Sequence, residues 1–149
     1  MKMRNAKDGL YLQNLQRKVK VDVKSLRQKI KKALEVSGLK FRKVGIILVS
    51  DKKIVFYNRK FLEREGITDV ISFRLGPGEG DILISAERAK SQAKEYRHPL
   101  EKELLILAIH GLLHLSGYDD RTEKERRRMF AETERIVRTA YREYGRKEA

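Results

Sequence analysis

The stretch Leu100 to Leu115, LEKELLILAIHGLLHL, is apolar almost all the way round a helical projection. A helix of that kind has no face to give to water, so it belongs at the centre of the fold with other elements packed around it. Its longest apolar run, Leu104 to Ile109, is far too short to span a bilayer. The amino-terminal residues Met1 to Asn14 lack the sustained apolar stretch of a signal peptide, and the chain reads as soluble.

The rest of the chain supplies the layers that such a helix needs. Leu10 and Leu12 alternate like a short strand, and Leu26, Ile30, Ala33 and Leu34 then recur at helical spacing, with Gly38 placed to end that helix. Val44 to Val49 is a short β-branched strand, after which Ser50 and Asp51 offer capping chemistry to a helix carrying Ile54, Tyr57, Phe61 and Leu62. Thr68 to Leu75 and Asp81 to Ser85 read as two strands joined through the turn Gly76-Pro77-Gly78-Glu79-Gly80, a candidate hairpin. A polar helix is predicted over Ala86 to Tyr96, with a break at His98-Pro99 before the apolar helix. From Thr122 to Tyr144 the chain is strongly charged, yet Met129, Thr133, Ile136, Val137, Ala140 and Tyr144 share one face, as in an outer amphipathic helix. The expectation is one α+β domain over residues 1–149, a mixed four-stranded sheet packed with helices.

Charge narrows the partners. Against 21 Asp and Glu stand 35 Lys and Arg, a net charge of +14, which favours a polyanion such as nucleic acid, although a charged surface can also serve solubility alone. The chain has no Cys, so any metal must be held by His and carboxylates, and a reducing cytoplasm is its natural compartment.

The chemistry concentrates in HGLLHLSGYDD, residues 110 to 120. Four residues apart on a helix, His110 and His114 project about 40° from one another and roughly 6 Å along the axis, so both can reach one ion. Gly117 permits a left-handed turn that brings Asp120 back towards them. Two His and one carboxylate leave a tetrahedral zinc one open position, the ligand set of a catalytic site. The alternative reading has both histidines as hydrogen-bonded core residues; two unpaired imidazoles are disfavoured in so apolar a helix, whereas a metal satisfies both. The spacing also matches that of the metzincin proteases, but their general-base Glu falls here on Gly111, which has no side chain to take a proton.

These residues resemble the YbeY family of metal-dependent endoribonucleases, whose motif H-G-x-L-H-L-x-G-Y-D-H agrees with residues 110 to 119 and departs at Asp120, where the family has a third His. Thr68-Asp69-Val70-Ile71-Ser72-Phe73 is similar to the family's T-D-V-L-S-F, and Gly80-Asp81-Ile82 to its G-D-I, while Glu123 and Met129 stand where it tends to have an acid and a Met. The resemblance implies an α+β fold, one zinc ion, and single-strand-specific endoribonuclease activity in 16S ribosomal RNA maturation and ribosome quality control, with ribosomal RNA and the small subunit as partners. A carboxylate at Asp120 adds negative charge and makes the metal a weaker Lewis acid. A second departure lies in Tyr57-Asn58-Arg59-Lys60-Phe61-Leu62, similar to the family's L-N-x-x-Y-R, which puts Leu62 where an Arg serves RNA chemistry. Arg59, Lys60 and Arg64, close in sequence, are the candidates to hold the RNA backbone in its place; Arg59 and Lys60 can equally form a solvated helix face.

In the mechanism this predicts, zinc polarises a phosphoryl oxygen and lowers the pKa of a bound water, with water or the RNA's own 2′-hydroxyl as nucleophile. Asp119 is the nearest acid outside the ligand set and the candidate general base, although an Asp in a tight turn also bonds local amides. Asp69 and Asp81 are weaker candidates, better suited to capping or to supporting the ligands. His98, ahead of Pro99, reads as an exposed or capping residue, and Gly76 to Gly80 lacks the Lys-Ser/Thr ending of a phosphate loop. Two other function classes compete: an RNA- or ribosome-binding factor with a structural metal, and, more weakly, a metallopeptidase.

Overall fold

Strand and helix periods alternate along the chain, and the computed structural model, which describes residues 8–62, 66 and 68–148 with side chains as far as residue 143, resolves them into a mixed sheet with helices on both faces. In chain order these are β1 (Leu10–Asn14), α1 (Val23–Ser37), β2 (Lys43–Val49), α2 (Asp51–Leu62), β3 (Val70–Gly76), β4 (Glu79–Ser85), α3 (Ala86–Tyr96), α4 (Leu100–Leu115) and α5 (Glu123–Glu148). The strands lie in the order β1-β2-β4-β3. β1 and β4 each run parallel to β2, and β3 pairs antiparallel with β4. The expected hairpin is therefore present, and its strands extend further into the Gly-rich turn than the sequence suggested, to Gly76 and from Glu79, with a register irregularity between Arg74 and Gly76.

Local signals set the boundaries. The Asp22 side chain accepts from the Ser25 amide at the start of α1, and Gly38, at φ 75°, ends it in the left-handed region where glycine has no Cβ penalty. The Ser50 hydroxyl accepts from the Lys53 amide at 3.2 Å and caps α2, as its position before Ile54 predicts.

Side chains alternate across the sheet, so its two faces build two cores. Val44, Ile46, Leu48, Ile82 and Ile84 face α1, α4 and α5, and α4 lies at the centre of that larger core. Ile47, Val49, Leu83 and Ile71 face α2, which meets them through Ile54, Tyr57 and Leu62, with Phe73 of β3 packed alongside. On α5, Met129, Thr133, Ile136, Val137 and Ala140 are buried, the predicted apolar face of that helix, while the Tyr144 side chain lies outside the described residues. No helix among the described residues is long and apolar enough to cross a membrane.

One contact sets how closely α4 approaches the sheet. A Cβ placed on Gly111 would lie 2.6 Å from Ile82 Cγ2, so only glycine lets the helix settle there.

Candidate metal centre

The last turn of α4 is closed by a Schellman motif. The Tyr118 amide donates to the Leu113 carbonyl at 3.0 Å, and the Gly117 amide to the His114 carbonyl at 3.1 Å. Gly117 takes φ 104°, and Tyr118 folds back to pack against the main core. This reversal returns the chain past the helix end, and α5 then begins at a capping box. The Glu125 amide donates to the Thr122 hydroxyl at 3.1 Å, and the Glu125 carboxylate accepts from the Thr122 amide at 3.0 Å. Arg126 adds a hydrogen bond to the Asp120 carbonyl. Asp120 is thus held on both sides by backbone chemistry.

Together these turns bring the three sequence-predicted ligands into one cluster. One donor atom from each of His110, His114 and Asp120 lies within 4.8 Å of the others. The His rings are 5.0 Å apart between centroids, and His114 Nε2 is 3.5 Å from Asp120 Oδ2. Burial pushes the His110 pKa below the ordinary 6.5, and the neighbouring His114 lowers it further, against the opposing charges of Asp69 and Asp120. Its imidazole therefore keeps a free lone pair at pH values where an exposed one would be protonated. Two imidazoles and a carboxylate, one of them biased to the neutral form, are a donor set that fits a divalent metal such as zinc.

The remaining candidates fall elsewhere. Asp119 points its carboxylate into the turn: Oδ1 accepts from the Asp120 amide at 2.8 Å, and Oδ2 is 3.1 Å from Arg121 Nε. Asp69 bears electrostatically on His110 and accepts from Gln92 Nε2 at 3.3 Å. Asp81 is buried on β4, on the strand face it shares with Leu83 rather than the one facing α4. Arg59 and Lys60 are exposed on α2, which packs on the opposite face of the sheet from α4; Lys60 lies over the Phe56 and Phe61 rings. Arg64 lies outside the described residues. Leu62 packs into the smaller core.

His98, whose place before Pro99 suggested an exposed or capping role, is half-buried. Its Nε2 lies 2.6 Å from Oε1 of Glu103, which is buried, and the pair bridges the α3–α4 junction. Desolvation raises the Glu103 pKa, while the bond to His98 opposes the rise. Two further anchors of α4 had no role assigned from the sequence: Ser72 Oγ donates to the Gly111 carbonyl at 3.2 Å, and Arg74 Nη2 to the Leu115 carbonyl at 2.8 Å. Both lie on β3 and tie it to the turns that bear His110 and His114.

Comparison with known proteins identifies the family. Residues 11–141 match the family described as Endoribonuclease YbeY. An Endoribonuclease YbeY of Geobacillus thermodenitrificans is 40% identical over 131 residues, covering 77% of this chain and 84% of its own length. One from a Geobacillus species is 44% identical over 109 residues, 63% of this chain and 70% of the relative. In fold, the solution structure of a Thermotoga maritima protein superposes with a TM-score of 0.64 at 27% identity, covering 93% of both chains. With the family matched across nearly the whole described fold, and with close relatives bearing its name, the chain belongs to the Endoribonuclease YbeY family.

Proposed function

We propose that this protein is a zinc-dependent, single-strand-specific endoribonuclease that acts in 16S ribosomal RNA maturation and ribosome quality control, in the cytoplasm, on ribosomal RNA in the small subunit. The observation that carries this reading is the His110, His114 and Asp120 cluster, converging at the end of a buried helix in a strongly basic member of an endoribonuclease family.

His110 and His114, presented by a rigid helix, and Asp120, presented by the capped turn, would hold one ion. When bound, such an ion supplies Lewis-acid chemistry at a phosphoryl oxygen and makes water a better nucleophile at neutral pH. The chain's own groups do the rest. Asp119 is the nearest carboxylate outside the ligand set and takes the part of general base, its orientation fixed by the Asp120 amide and Arg121. Arg59 and Lys60, exposed on α2, and Arg64, which follows them in the sequence, contribute to backbone attraction of the polyanion. Either water or the RNA's 2′-hydroxyl attacks phosphorus as the bond to the 5′-oxygen breaks, and that oxygen leaves with a proton. A 2′,3′-cyclic phosphate on the product identifies the sugar as nucleophile; cleavage of RNA carrying a 2′-O-methyl group at the scissile position identifies water.

A second reading, an RNA- or ribosome-binding factor with a structural metal, is favoured by Leu62. Where the family resemblance leads to Arg, this chain packs an apolar side chain into the core beneath α2. A peptidase of the metzincin type is disfavoured by Gly111, since the Ile82 contact leaves no room for a Glu there.

Incubation of a partly single-stranded RNA with the purified protein and with a His114→Ala variant separates these. The proposal predicts cleavage in the unpaired segment by the native chain and none by the variant. Equal cutting by both assigns the activity to a contaminant, and no cutting by either, with RNA still bound, assigns the protein to the binding class.

A further inference from the structure

Beside the metal cluster a groove of about 1130 Å³ opens between α4 and α5, with His110 and Asp120 among its lining residues. On α4 it follows Lys102, Ile106 and His110, and on α5 a stripe from Glu123 to Tyr141 at spacings of three and four. Eighteen residue-to-residue steps of helix make that stripe roughly 27 Å long at 1.5 Å per residue.

Two aromatic rings stand in this groove facing solvent: Tyr96 at 58% exposure and Phe130 at 65%. Exposed apolar surface gathered in a groove with a polar rim marks a binding site. Lys102, Arg126, Arg127 and Arg138 line the same space. Of the four acids that also line it, Glu103 is engaged by His98 and Asp120 belongs to the metal cluster, which leaves Glu123 and Glu134 against four cations. Apolar rings between basic side chains suit a chain whose own faces are aromatic and whose backbone is anionic.

We infer that this groove receives the single-stranded RNA that flanks the scissile phosphate, with an unstacked base against Phe130, a further base towards Tyr96, and phosphates on Arg127 and Arg138. The groove starts at the cluster, so a strand with its phosphate there passes directly onto the α5 stripe. Bases paired in a duplex present edges and not faces to a wall, so the same surface selects unpaired RNA. This inference rests on the endoribonuclease reading for its choice of occupant, and its test reads binding and not cleavage.

The probe is a labelled 2′-O-methyl phosphorothioate oligouridylate, whose backbone resists cleavage, titrated into the intact purified protein by fluorescence anisotropy. Phe130 is exposed, so Phe130→Ala is expected to fold as the native chain does, which circular dichroism verifies. Loss of one stacked base weakens binding about tenfold, and Phe130→Trp restores it. Replacing Arg127 and Arg138 together by Ala flattens the dependence of log affinity on log salt by about 1.4 for two phosphate contacts. A duplex of the same length binds the native chain and Phe130→Ala alike. Unchanged affinity in Phe130→Ala, an unchanged salt slope in the double Arg variant, or equal losses for duplex and single strand overturns the inference and gives the groove to a polypeptide partner. If these variants behave as stated while neither the native chain nor His114→Ala cuts RNA, the catalytic reading fails and the groove stands.

Discussion

Gly111 and Ile82 are in contact across the helix–sheet interface so tightly that a single added methyl group on Gly111 would fall 2.6 Å from Ile82 Cγ2. The residue immediately after the first ligand is thus a packing requirement: it sets the depth of α4 against the sheet, and with it the place of both histidines.

Substituting Gly111 by Ala tests that relationship. Helix propensity alone would stabilise the chain by about 1 kcal/mol. Overpacking against Ile82 costs about 1–3 kcal/mol, so the net effect is expected to be destabilising. Urea denaturation of the variant measures it, and Ile82→Ala added to Gly111→Ala is expected to lose less than the sum of the two single changes because the second removes the clash created by the first. A raised midpoint for Gly111→Ala alone contradicts the account.

The pair formed by half-buried His98 and buried Glu103 makes a prediction about pH. Desolvation holds the Glu103 carboxyl above its ordinary 4.5, so in that range the folded chain keeps a proton that the unfolded chain has released. Its contribution to stability is full below 4.5 and is lost as pH rises through the raised value. Glu103→Gln removes this component, so the difference in stability between native and variant chains is expected to shift in the variant's favour on going upward from pH 4.5. His98→Ala, which leaves the carboxyl without its partner, is expected to cost about 1–3 kcal/mol at neutral pH. A pH-independent difference between native protein and Glu103→Gln, followed by thermal melts, would count against the assignment.

Asp119 is separable into its two possible contributions by two substitutions. Asn keeps an oxygen that can accept from the Asp120 amide and loses the charge, while Ala loses both. General-base chemistry predicts a fall of about 10²–10⁴-fold in kcat for Asp119→Asn with metal affinity retained. Near-native turnover in Asp119→Asn alongside an inactive Asp119→Ala would make the residue a turn-former only.

Much of this architecture was legible because local signals agreed with one another. The all-round apolarity of residues 100 to 115 marked a central helix, and the observed α4 has those same bounds. His110, His114, Gly117 and Asp120 announced their convergence because a four-residue helical spacing and a left-handed glycine are geometric statements in themselves. Other features depend on residues far apart in sequence and leave no periodic trace. Arg74 reaching the Leu115 carbonyl and Ser72 reaching that of Gly111 arise only once β3 and α4 are assembled. The capping box at Thr122 and Glu125 is different: its T-x-x-E spelling stands openly ahead of α5 and was available to sequence reading. The sheet order, with β4 inserted between β2 and β3, follows from long-range pairing that strand alternation alone does not specify.

Metal stoichiometry tests the central claim most directly. The native protein, equilibrated with zinc and freed of excess by gel filtration, is predicted to retain one equivalent by elemental analysis, and His110→Ala and His114→Ala to retain less than a tenth of that while keeping the native circular dichroism spectrum. Retention of a full equivalent by both variants, or none by the native chain, would contradict a metal centre built from His110, His114 and Asp120.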